Sequence, residues 1–194
     1  IENTISKVRF ENPVVKILDT EFKFEINEEF YPSDIVYIDA KSGAGKSTLL
    51  RSLLNIRDVE GISINEREVN SLSLDELREK VAYVPQNPLI IPASLRENIL
   101  VDTVKDKSID EKILSMDVLK PVLKNKNLDS EILANGENLS GGEKQRVSIV
   151  RSLMRDADVY IFDEITSNLD SESQEDFFSN FIKDIDNKIV FIIS

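Results

Sequence analysis

The sequence has no cysteine and no histidine among its 194 residues. The absence of cysteine excludes a disulfide framework and a thiolate metal site. The absence of histidine excludes the commonest general base, the usual zinc ligand and every catalytic triad that is built around imidazole. If the chain catalyses a reaction, its carboxylates, hydroxyls, lysines and backbone amides must carry the chemistry.

Basic residues are outnumbered, with 24 lysines and arginines against 36 aspartates and glutamates and a formal net charge of −12. A surface of this sign repels the phosphate backbones of DNA and RNA, so no nucleic-acid partner is expected. Hydrophobic residues make up 41% and charged residues 31% of the chain, as in an ordinary globular protein. The length fits one compact domain, or one domain that carries a subdomain.

Long apolar segments are also missing, because no run approaches the roughly 18 residues that span a bilayer. The first ten residues lack the basic and apolar regions of a signal peptide. The chain itself is therefore expected to be soluble. It begins at Ile1 and ends within the strand-like run IVFIIS, so we interpret it as a segment of a longer protein.

Short runs rich in β-branched residues alternate with helical patterns, which predicts an α/β domain with a mainly parallel sheet. Residues 34–39, 158–163 and 188–194 are nearly continuous apolar runs, so they are the expected central, buried strands. Residues 8–10 and 15–26 instead alternate apolar and polar side chains. This alternation predicts an antiparallel β layer with one exposed face.

The middle of the chain carries helical signals. Three Ser-x-x-Glu capping boxes, which begin at Ser94, Ser108 and Ser140, each predict the start of a helix. Residues 103–138 are polar, but their apolar residues recur near helical spacing. We therefore expect a helical insert here rather than a linker.

A glycine-rich loop follows the apolar run 34–39 and precedes a helix start, LLRSLL. In a strand, loop and helix of this order, backbone N–H groups and the helix N-terminus point into one concavity, which suits a triphosphate. The loop matches the pattern G-x-x-x-x-G-K-[ST] except at its first position, where Ala40 replaces glycine. The expected phosphate-binding residues are Ser42, Gly43, Ala44, Gly45, Lys46, Ser47 and Thr48.

The side chains of this loop have predicted roles. Lys46 reaches the β- and γ-phosphates, Ser47 offers its hydroxyl to Mg²⁺, and Thr48 bonds the α-phosphate side. Gly43 and Gly45 supply the torsions and the close approach of the backbone. The alternative is a glycine-rich turn that only begins a helix, and it leaves the sequence Gly-Lys-Ser-Thr after a buried strand unexplained.

Two adjacent carboxylates, Asp163 and Glu164, come at the end of the apolar run 158–163. Open α/β sheets place ligand chemistry at the carboxyl ends of their strands. Asp163 suits the Walker B role of holding Mg²⁺ through water, and Glu164 is positioned to polarise the attacking water. The alternative, a strand that simply ends in solvated acids, is weakened by the phosphate loop elsewhere in the chain.

Residues 139–146, LSGGEKQR, resemble the LSGGQ signature of ATP-binding cassette (ABC) ATPases. The phosphate loop, this signature and the Asp-Glu pair occur in the family's order across nearly the whole chain. Gln86 in YVPQ resembles the family's Q-loop, and residues 167–170 resemble its D-loop. The resemblance implies that Gln86 acts in catalysis and as a Mg²⁺ ligand, beside the catalytic Lys46 and Glu164.

The implied fold is a P-loop NTPase core, a mainly parallel sheet flanked by helices, with an antiparallel β layer. The core is predicted over residues 1–86 and 156–194. Residues 87–155 are the expected inserted α-helical subdomain, which ends in the signature helix.

The signature has a physical role of its own. Ser140 as N-cap, followed by Gly141 and Gly142, leaves N–H groups and a hydroxyl at a helix N-terminus, which is a second anion site. An ordinary capped helix accounts for Ser140 and Glu143 but not for the paired glycines, which destabilise helices. In the family this site completes the partner's nucleotide pocket. The resemblance therefore implies a head-to-tail homo- or heterodimer that encloses two ATP molecules, with Ser140, Gly141, Gly142, Glu143 and Asp170 as contacts in trans.

Residues 92–99, PASLRENI, resemble a segment of exporter-type ABC transporters, although a capped helix start also explains them. The resemblance implies a transmembrane domain, in the same parent chain or in a partner chain. It also implies a location at the cytoplasmic face of the cell membrane, with ATP hydrolysis coupled to transport.

Several positions depart from the family's pattern. Asn12 stands where an aromatic residue stacks on adenine, and Phe10, which more simply packs in the core, is the nearest substitute. Ala134 stands where exporters carry a glutamate in a TEVGERG-like loop. The family's switch histidine would be the residue after Ser194, so the chain is expected to be truncated just before it.

Two further functions remain open at this stage. Ala40, Asn12 and the missing histidine also fit a nucleotide-gated dimerisation module with negligible hydrolysis. A soluble ABC ATPase is the other alternative, and the net charge and PASLRENI speak against it. For the chain as given, we expect ATP binding with slow hydrolysis.

Overall fold

The computed structural model describes residues 4–39, 41, 43–54, 58–100, 106–167 and 171–194. Ala40, Ser42 and Asp170, which the sequence assigned to motifs, lie outside the described residues. The strands are β1 (Val8–Ile17), β2 (Thr20–Lys23), β3 (Asn27–Phe30), β4 (Ile35–Ile38), β5 (Asp58–Ile64), β6 (Arg67–Glu68), β7 (Val81–Val84), β8 (Val159–Asp163) and β9 (Ile189–Ile193). The α-helices are α1 (Lys46–Arg51), α2 (Leu74–Lys80), α3 (Leu95–Ile99), α4 (Lys107–Leu114), α5 (Lys120–Leu123), α6 (Gly141–Leu153) and α7 (Ser171–Ser179).

The first sheet is antiparallel and confirms the predicted β layer. β1 pairs with β2, β3 and β5, and β5 pairs with β6. The register between β1 and β5 shifts between Phe10 and Val14. Asn12 lies in this bulge with a φ of 43°, a left-handed torsion that asparagine tolerates better than most residues.

The second sheet has the order β4-β9-β8-β7, and β9 runs parallel to both β4 and β8. Every residue of β8 and β9 is buried, as the continuous apolar runs predicted. The expectation that β4 is also central is wrong for the part of the chain that the structure describes. β4 lies at the sheet edge, where Ile35 and Tyr37 are 42% and 67% exposed. An apolar run alone does not separate an edge strand from a central one.

An aromatic cluster packs the β layer against the parallel sheet. Phe10 stacks on Phe191 of β9 with ring centroids 6.0 Å apart, and Phe30 meets both rings edge-on. Phe10 is fully buried, so its role is core packing. Buried pairs of this geometry contribute beyond their burial of apolar area.

The predicted capping boxes have mixed outcomes. The boxes Ser94–Glu97 and Ser140–Glu143 are both formed, at the starts of α3 and α6. The box expected at Ser108 is wrong, because α4 begins two residues earlier than this box predicts, at Lys107. Its N-cap is Asp106, whose carboxylate accepts the N–H and the hydroxyl of Ser108.

The chain divides by its contacts into two compact units. The first contains Ile1–Tyr83, Ala157–Glu164 and Asp186–Ser194, and the second contains Val84–Asp156 and Ile165–Ile185. The first unit holds the β layer, and the second holds α3 to α7. The segment 165–185, which the sequence assigned to the core, groups by contacts with the helical unit.

The helical unit contains a buried arginine that is hydrogen-bonded to two aspartates. Arg96 of α3 is 7% exposed and donates two hydrogen bonds to Asp110 and one to Asp129. Both carboxylates raise the pKa of this guanidinium.

Among the described residues, no helix is both long enough and apolar enough to cross a membrane.

Candidate nucleotide site

The phosphate loop connects the end of β4 to the start of α1. Gly43 and Gly45 both adopt a φ of +83°, which glycine reaches without strain. The N–H of Ala44 donates to the carbonyl of Lys41 at 3.1 Å, and the N–H of Leu49 donates to Gly45 at 2.8 Å. The backbone thus turns sharply just before α1, and Lys46 and Ser47 are the first two residues of the helix.

Ser47 and Asp163 are brought together, although they are far apart in the sequence. The Ser47 hydroxyl donates to Asp163 Oδ1 at 2.9 Å. Asp163 is the last residue of β8 and is only 4% exposed. A hydroxyl on the first turn of α1 therefore faces a buried carboxylate at the carboxyl end of a parallel strand.

The same carboxylate has two further partners, Tyr83 and Arg51. The Tyr83 hydroxyl donates to Asp163 Oδ2, and Arg51 Nε donates to the Tyr83 hydroxyl at 3.0 Å. Burial and the hydrogen bond to Asp163 raise the pKa of Tyr83. Tyr83 therefore keeps its proton at neutral pH and acts as a donor.

The end of β9 lies beside the lysine of the loop. Lys46 Nζ donates to the carbonyl oxygen of Ser194 at 2.6 Å. The predicted phosphate-binding lysine and the residue that follows β9 are therefore neighbours.

Glu164 follows β8 with a φ of 50°, in the left-handed region that long side chains rarely adopt. Its N–H donates to the carbonyl of Ile193 at 2.9 Å, which holds this torsion in place. Non-glycine residues held in such torsions cluster at functional sites.

Gln86 and the signature belong to the second unit. Gln86 Nε2 donates to the Ser167 hydroxyl at 3.3 Å, so the predicted Q-loop meets the first residue of the predicted D-loop. Gln145, on α6, donates to the carbonyl of Pro85 at 3.3 Å. The signature helix is thereby connected to the residue that precedes Gln86.

The N-terminus of α6 presents an open backbone. Ser140 and Glu143 cap each other's backbone N–H groups. A Cβ placed on Gly141 or on Gly142 would have no atom within 4 Å among the described residues. Among the described residues, the space beside these two glycines is therefore open, which suits an anion site at this helix end.

Comparison with known proteins identifies the family. The family model described as ABC transporter matches residues 24–167, more than half of the chain. The chain belongs to the ABC transporter family. ABC ATP-binding domains are ATPases, and the resemblance inferred from the motifs is confirmed.

The relatives show that this ABC domain is of the exporter type. It is 38% identical over 178 residues to the ATP-dependent permease MDL1 of Candida albicans, which covers 88% of this chain and 26% of the permease. It is 36% identical over 164 residues to an ATP-dependent lipid A-core flippase of Colwellia psychrerythraea, covering 79% of this chain and 27% of the flippase. A bacterial Atm1-family ABC exporter with ATP bound matches all of this chain with a TM-score of 0.83 and 27% identity, over 36% of that exporter's chain. The ABC domain thus spans about a quarter to a third of these relatives.

The donor set at Ser47 and Asp163 fits Mg²⁺. Mg²⁺ prefers oxygen ligands, keeps several waters and is usually bound through one or two carboxylates together with substrate phosphates. The hydroxyl and the carboxylate are 2.9 Å apart at the start of the helix that follows the phosphate loop. Both oxygens are thus within reach of one ion bound at the phosphates.

Sequence reasoning missed Arg51 and Tyr83 at this site. A signal for Arg51 was available, because residues four apart share a helix face and Arg51 lies four residues after Ser47. The position of Tyr83 gave no comparable signal, because its contact with Asp163 depends on the order of the strands in the sheet.

Replacing Gly45 with alanine is expected to weaken ATP binding of the ABC domain more than replacing Gly43. Both glycines have a φ of +83°, and an alanine in this region is strained by roughly 1–2 kcal/mol, a factor of about 5–30 in an equilibrium constant. A Cβ on Gly45 would also lie 3.2 Å from Phe24 Cζ, whereas a Cβ on Gly43 would meet no atom of the described residues within 4 Å. Titration with a fluorescent ATP analogue measures both. Equal losses for the two variants would show that the contact with Phe24 has no effect.

Proposed function

We propose that this ABC domain binds MgATP at its phosphate loop and hydrolyses it as one subunit of a head-to-tail dimer, which drives an exporter. The observation that carries the proposal is the hydrogen bond between Ser47 and the buried Asp163. It joins the phosphate loop to the carboxyl end of β8, where the chemistry of this fold takes place.

The site residues of the first unit have distinct roles in this proposal. Backbone N–H groups of residues 42–48 and the Lys46 ammonium bind the phosphates, with Thr48 on the α-phosphate side. Ser47 and Asp163 would hold Mg²⁺, which would supply positive charge beside the phosphates when it is bound. Glu164 accepts a proton from the attacking water, and Lys46 stabilises the transition state electrostatically.

The second unit contributes Gln86 and the signature. Gln86 is proposed to bind the metal ion and to orient water near it. Ser140, Gly141, Gly142 and Glu143 are proposed to contact the ATP held by the other subunit, together with Asp170. The uncovered glycines at the start of α6 support this assignment.

The partners follow from the relatives and from the charge. The dimer that encloses ATP requires a second ATP-binding domain, identical or different. ATP hydrolysis is coupled to a transmembrane domain, which is the second partner. Relatives named as a permease and a flippase support a location at the cytoplasmic face of a membrane. The net charge of −12 supports the absence of a nucleic-acid partner.

Mixing two inactive variants of the full-length protein tests the homodimeric form of this sandwich. Lys46→Met disables one phosphate loop, and Ser140→Arg fills one signature. A mixed head-to-tail dimer keeps one intact site, so an equal mixture is expected to recover about a quarter of the wild-type rate, because half of the dimers are mixed. The measurement is phosphate release.

The matched control mixes Lys46→Met with the double variant Lys46→Met and Ser140→Arg, which leaves no intact site in any dimer. No recovery is expected there. If the first mixture also stays inactive while both of its variants remain folded, the homodimeric sandwich is contradicted.

One observation favours a second candidate function, a nucleotide-gated dimerisation module with negligible hydrolysis. The position of the adenine-stacking aromatic holds Asn12, in a bulge where its side chain accepts a hydrogen bond from Asn27 at 3.1 Å. Dimerisation on MgATP without measurable turnover by the full-length protein would favour this function. Sustained turnover eliminates it.

A further inference from the structure

Both oxygens of the Asp163 carboxylate are engaged by donors of this chain. Ser47 donates to Oδ1 at 2.9 Å from the first turn of α1, and Tyr83 donates to Oδ2 from β7. The side chain of Asp163 is 6% exposed. The carboxylate is thus held by two elements, α1 and β7, each through a different oxygen.

Arg51 sets the direction of the hydrogen bond from Tyr83. Arg51 Nε donates to the Tyr83 hydroxyl at 3.0 Å, so the hydroxyl proton is left to point toward Asp163. The guanidinium also lies 5.2 Å from the centre of the Tyr83 ring, and its NH2 is 3.7 Å from Asp163 Oδ2. A cation therefore backs the donor, and hydrogen bonds to charged groups are the strong ones.

The two oxygens of the Asp163 carboxylate have different partners: Oδ1 accepts from Ser47, and Oδ2 accepts from Tyr83. α1 begins with Lys46 and Ser47 and ends with Arg51, so one helix supplies a partner to each oxygen. A metal ion held by the Ser47 hydroxyl would be bound through an oxygen lone pair, so the hydroxyl proton could still donate to Oδ1. The contact of Tyr83 is with the other carboxylate oxygen, Oδ2, and does not occupy Oδ1.

We propose that Tyr83, held by Arg51, is a positioning residue that fixes Oδ2 of Asp163 and presents Oδ1 to the Mg²⁺ that accompanies ATP. The proposal rests on the proposed function, because it takes Asp163 as the residue that holds the metal ion. Partners of metal ligands that orient the ligand typically change metal affinity 10- to 100-fold when they are mutated. Tyr83 touches neither substrate nor metal in this proposal and acts through Asp163 alone.

A purely structural role for Tyr83 makes a different prediction. If the hydroxyl only satisfies a buried carboxylate, its removal destabilises the fold and weakens ATP binding equally with and without Mg²⁺. A positioning role weakens only the part of the affinity that depends on Mg²⁺. The comparison of ATP affinity in Mg²⁺ and in EDTA separates the two.

The test uses Tyr83→Phe in the full-length protein, with a fluorescent ATP analogue as the probe. The concentration of Mg²⁺ that gives half of the Mg²⁺-dependent binding is expected to rise roughly 10-fold or more. Affinity in EDTA is expected to stay within about twofold, because no Mg²⁺-bound geometry is then required. Tyr160→Phe is the matched control: it removes another buried tyrosine hydroxyl, one that accepts the N–H of Ala157, and should leave the Mg²⁺ dependence unchanged.

Two further variants make the outcome decisive. Arg51→Lys keeps the cation and alters the donor to Tyr83, so a smaller shift in the same direction is expected even if Tyr83→Phe does not fold. Asp163→Asn must itself raise the Mg²⁺ requirement; if it does not, the proposed function fails. If Asp163→Asn raises it and both Tyr83→Phe and Arg51→Lys leave it unchanged, or lose affinity equally in EDTA, the positioning role is overturned alone.

Discussion

Replacing Glu164 with glutamine is expected to lower the rate of ATP hydrolysis by roughly 10²- to 10⁴-fold, the usual contribution of a general base. Glutamine has nearly the same shape but cannot accept a proton from water. Glutamine has the same preference for backbone torsions as glutamate. Residue 164 should therefore keep its φ of 50° and its hydrogen bond to Ile193. Phosphate release by the full-length protein at saturating MgATP measures the rate.

ATP binding and the melting temperature of the Glu164→Gln variant are expected to match the wild type, because the side chain acts after the nucleotide is bound. Glu68→Gln is the control, since it removes one carboxylate from an exposed position of the same unit, on β6. It should hydrolyse ATP at the wild-type rate. Unchanged turnover in Glu164→Gln would remove Glu164 from the mechanism.

Replacing Lys46 with methionine is expected to raise the Kd for ATP roughly 100-fold. Hydrogen bonds to charged groups contribute about 1.5–3 kcal/mol, and the ammonium is assigned to two phosphates. Methionine is unbranched and only one atom shorter than lysine, and it removes the charge. Displacement of a fluorescent ATP analogue by ATP measures the Kd.

Lys41→Met is the matched control for this loss of charge. Lys41 is exposed in the same loop, and its carbonyl accepts the N–H of Ala44 through the backbone alone. Its replacement removes the same charge but no group that is assigned to a phosphate. Because dissolved ions screen an exposed charge, the change in Kd should be small. Equal losses in the two variants would mean that Lys46 acts only through the general field of the loop.

The pairing of Ser47 with Asp163 lay within reach of the sequence. Both residues belong to motifs that follow apolar runs, and the carboxyl ends of parallel strands share one edge of a sheet. The capping boxes at Ser94 and Ser140 were equally readable, because each is a local pattern of four residues.

Other features depend on competition or on strand order, which the local sequence does not express. Near Ser108, the carboxylate of Asp106 accepts the N–H of Ser108 and caps the helix, so the helix begins before the predicted start. β4 has the composition of a buried strand, yet among the described residues it pairs with β9 alone and therefore lies at the edge of the sheet. The contact of Tyr83 with Asp163 arises in the same way, from the adjacency of β7 and β8.

The order of strands in the parallel sheet also determines when each strand can pair during synthesis of the chain. β9 lies between β4 and β8, so Ile35 of β4 pairs with Val190, and among the described residues the strand before the phosphate loop has no other partner. A ribosome that adds roughly 5–20 residues per second needs about 8–30 s to make the chain between these two residues. The antiparallel layer joins strands much closer in sequence and has no such delay. Until β9 has been made, the apolar strand β4 therefore lacks the strand partner that it has among the described residues, and an unpaired apolar strand is prone to aggregation.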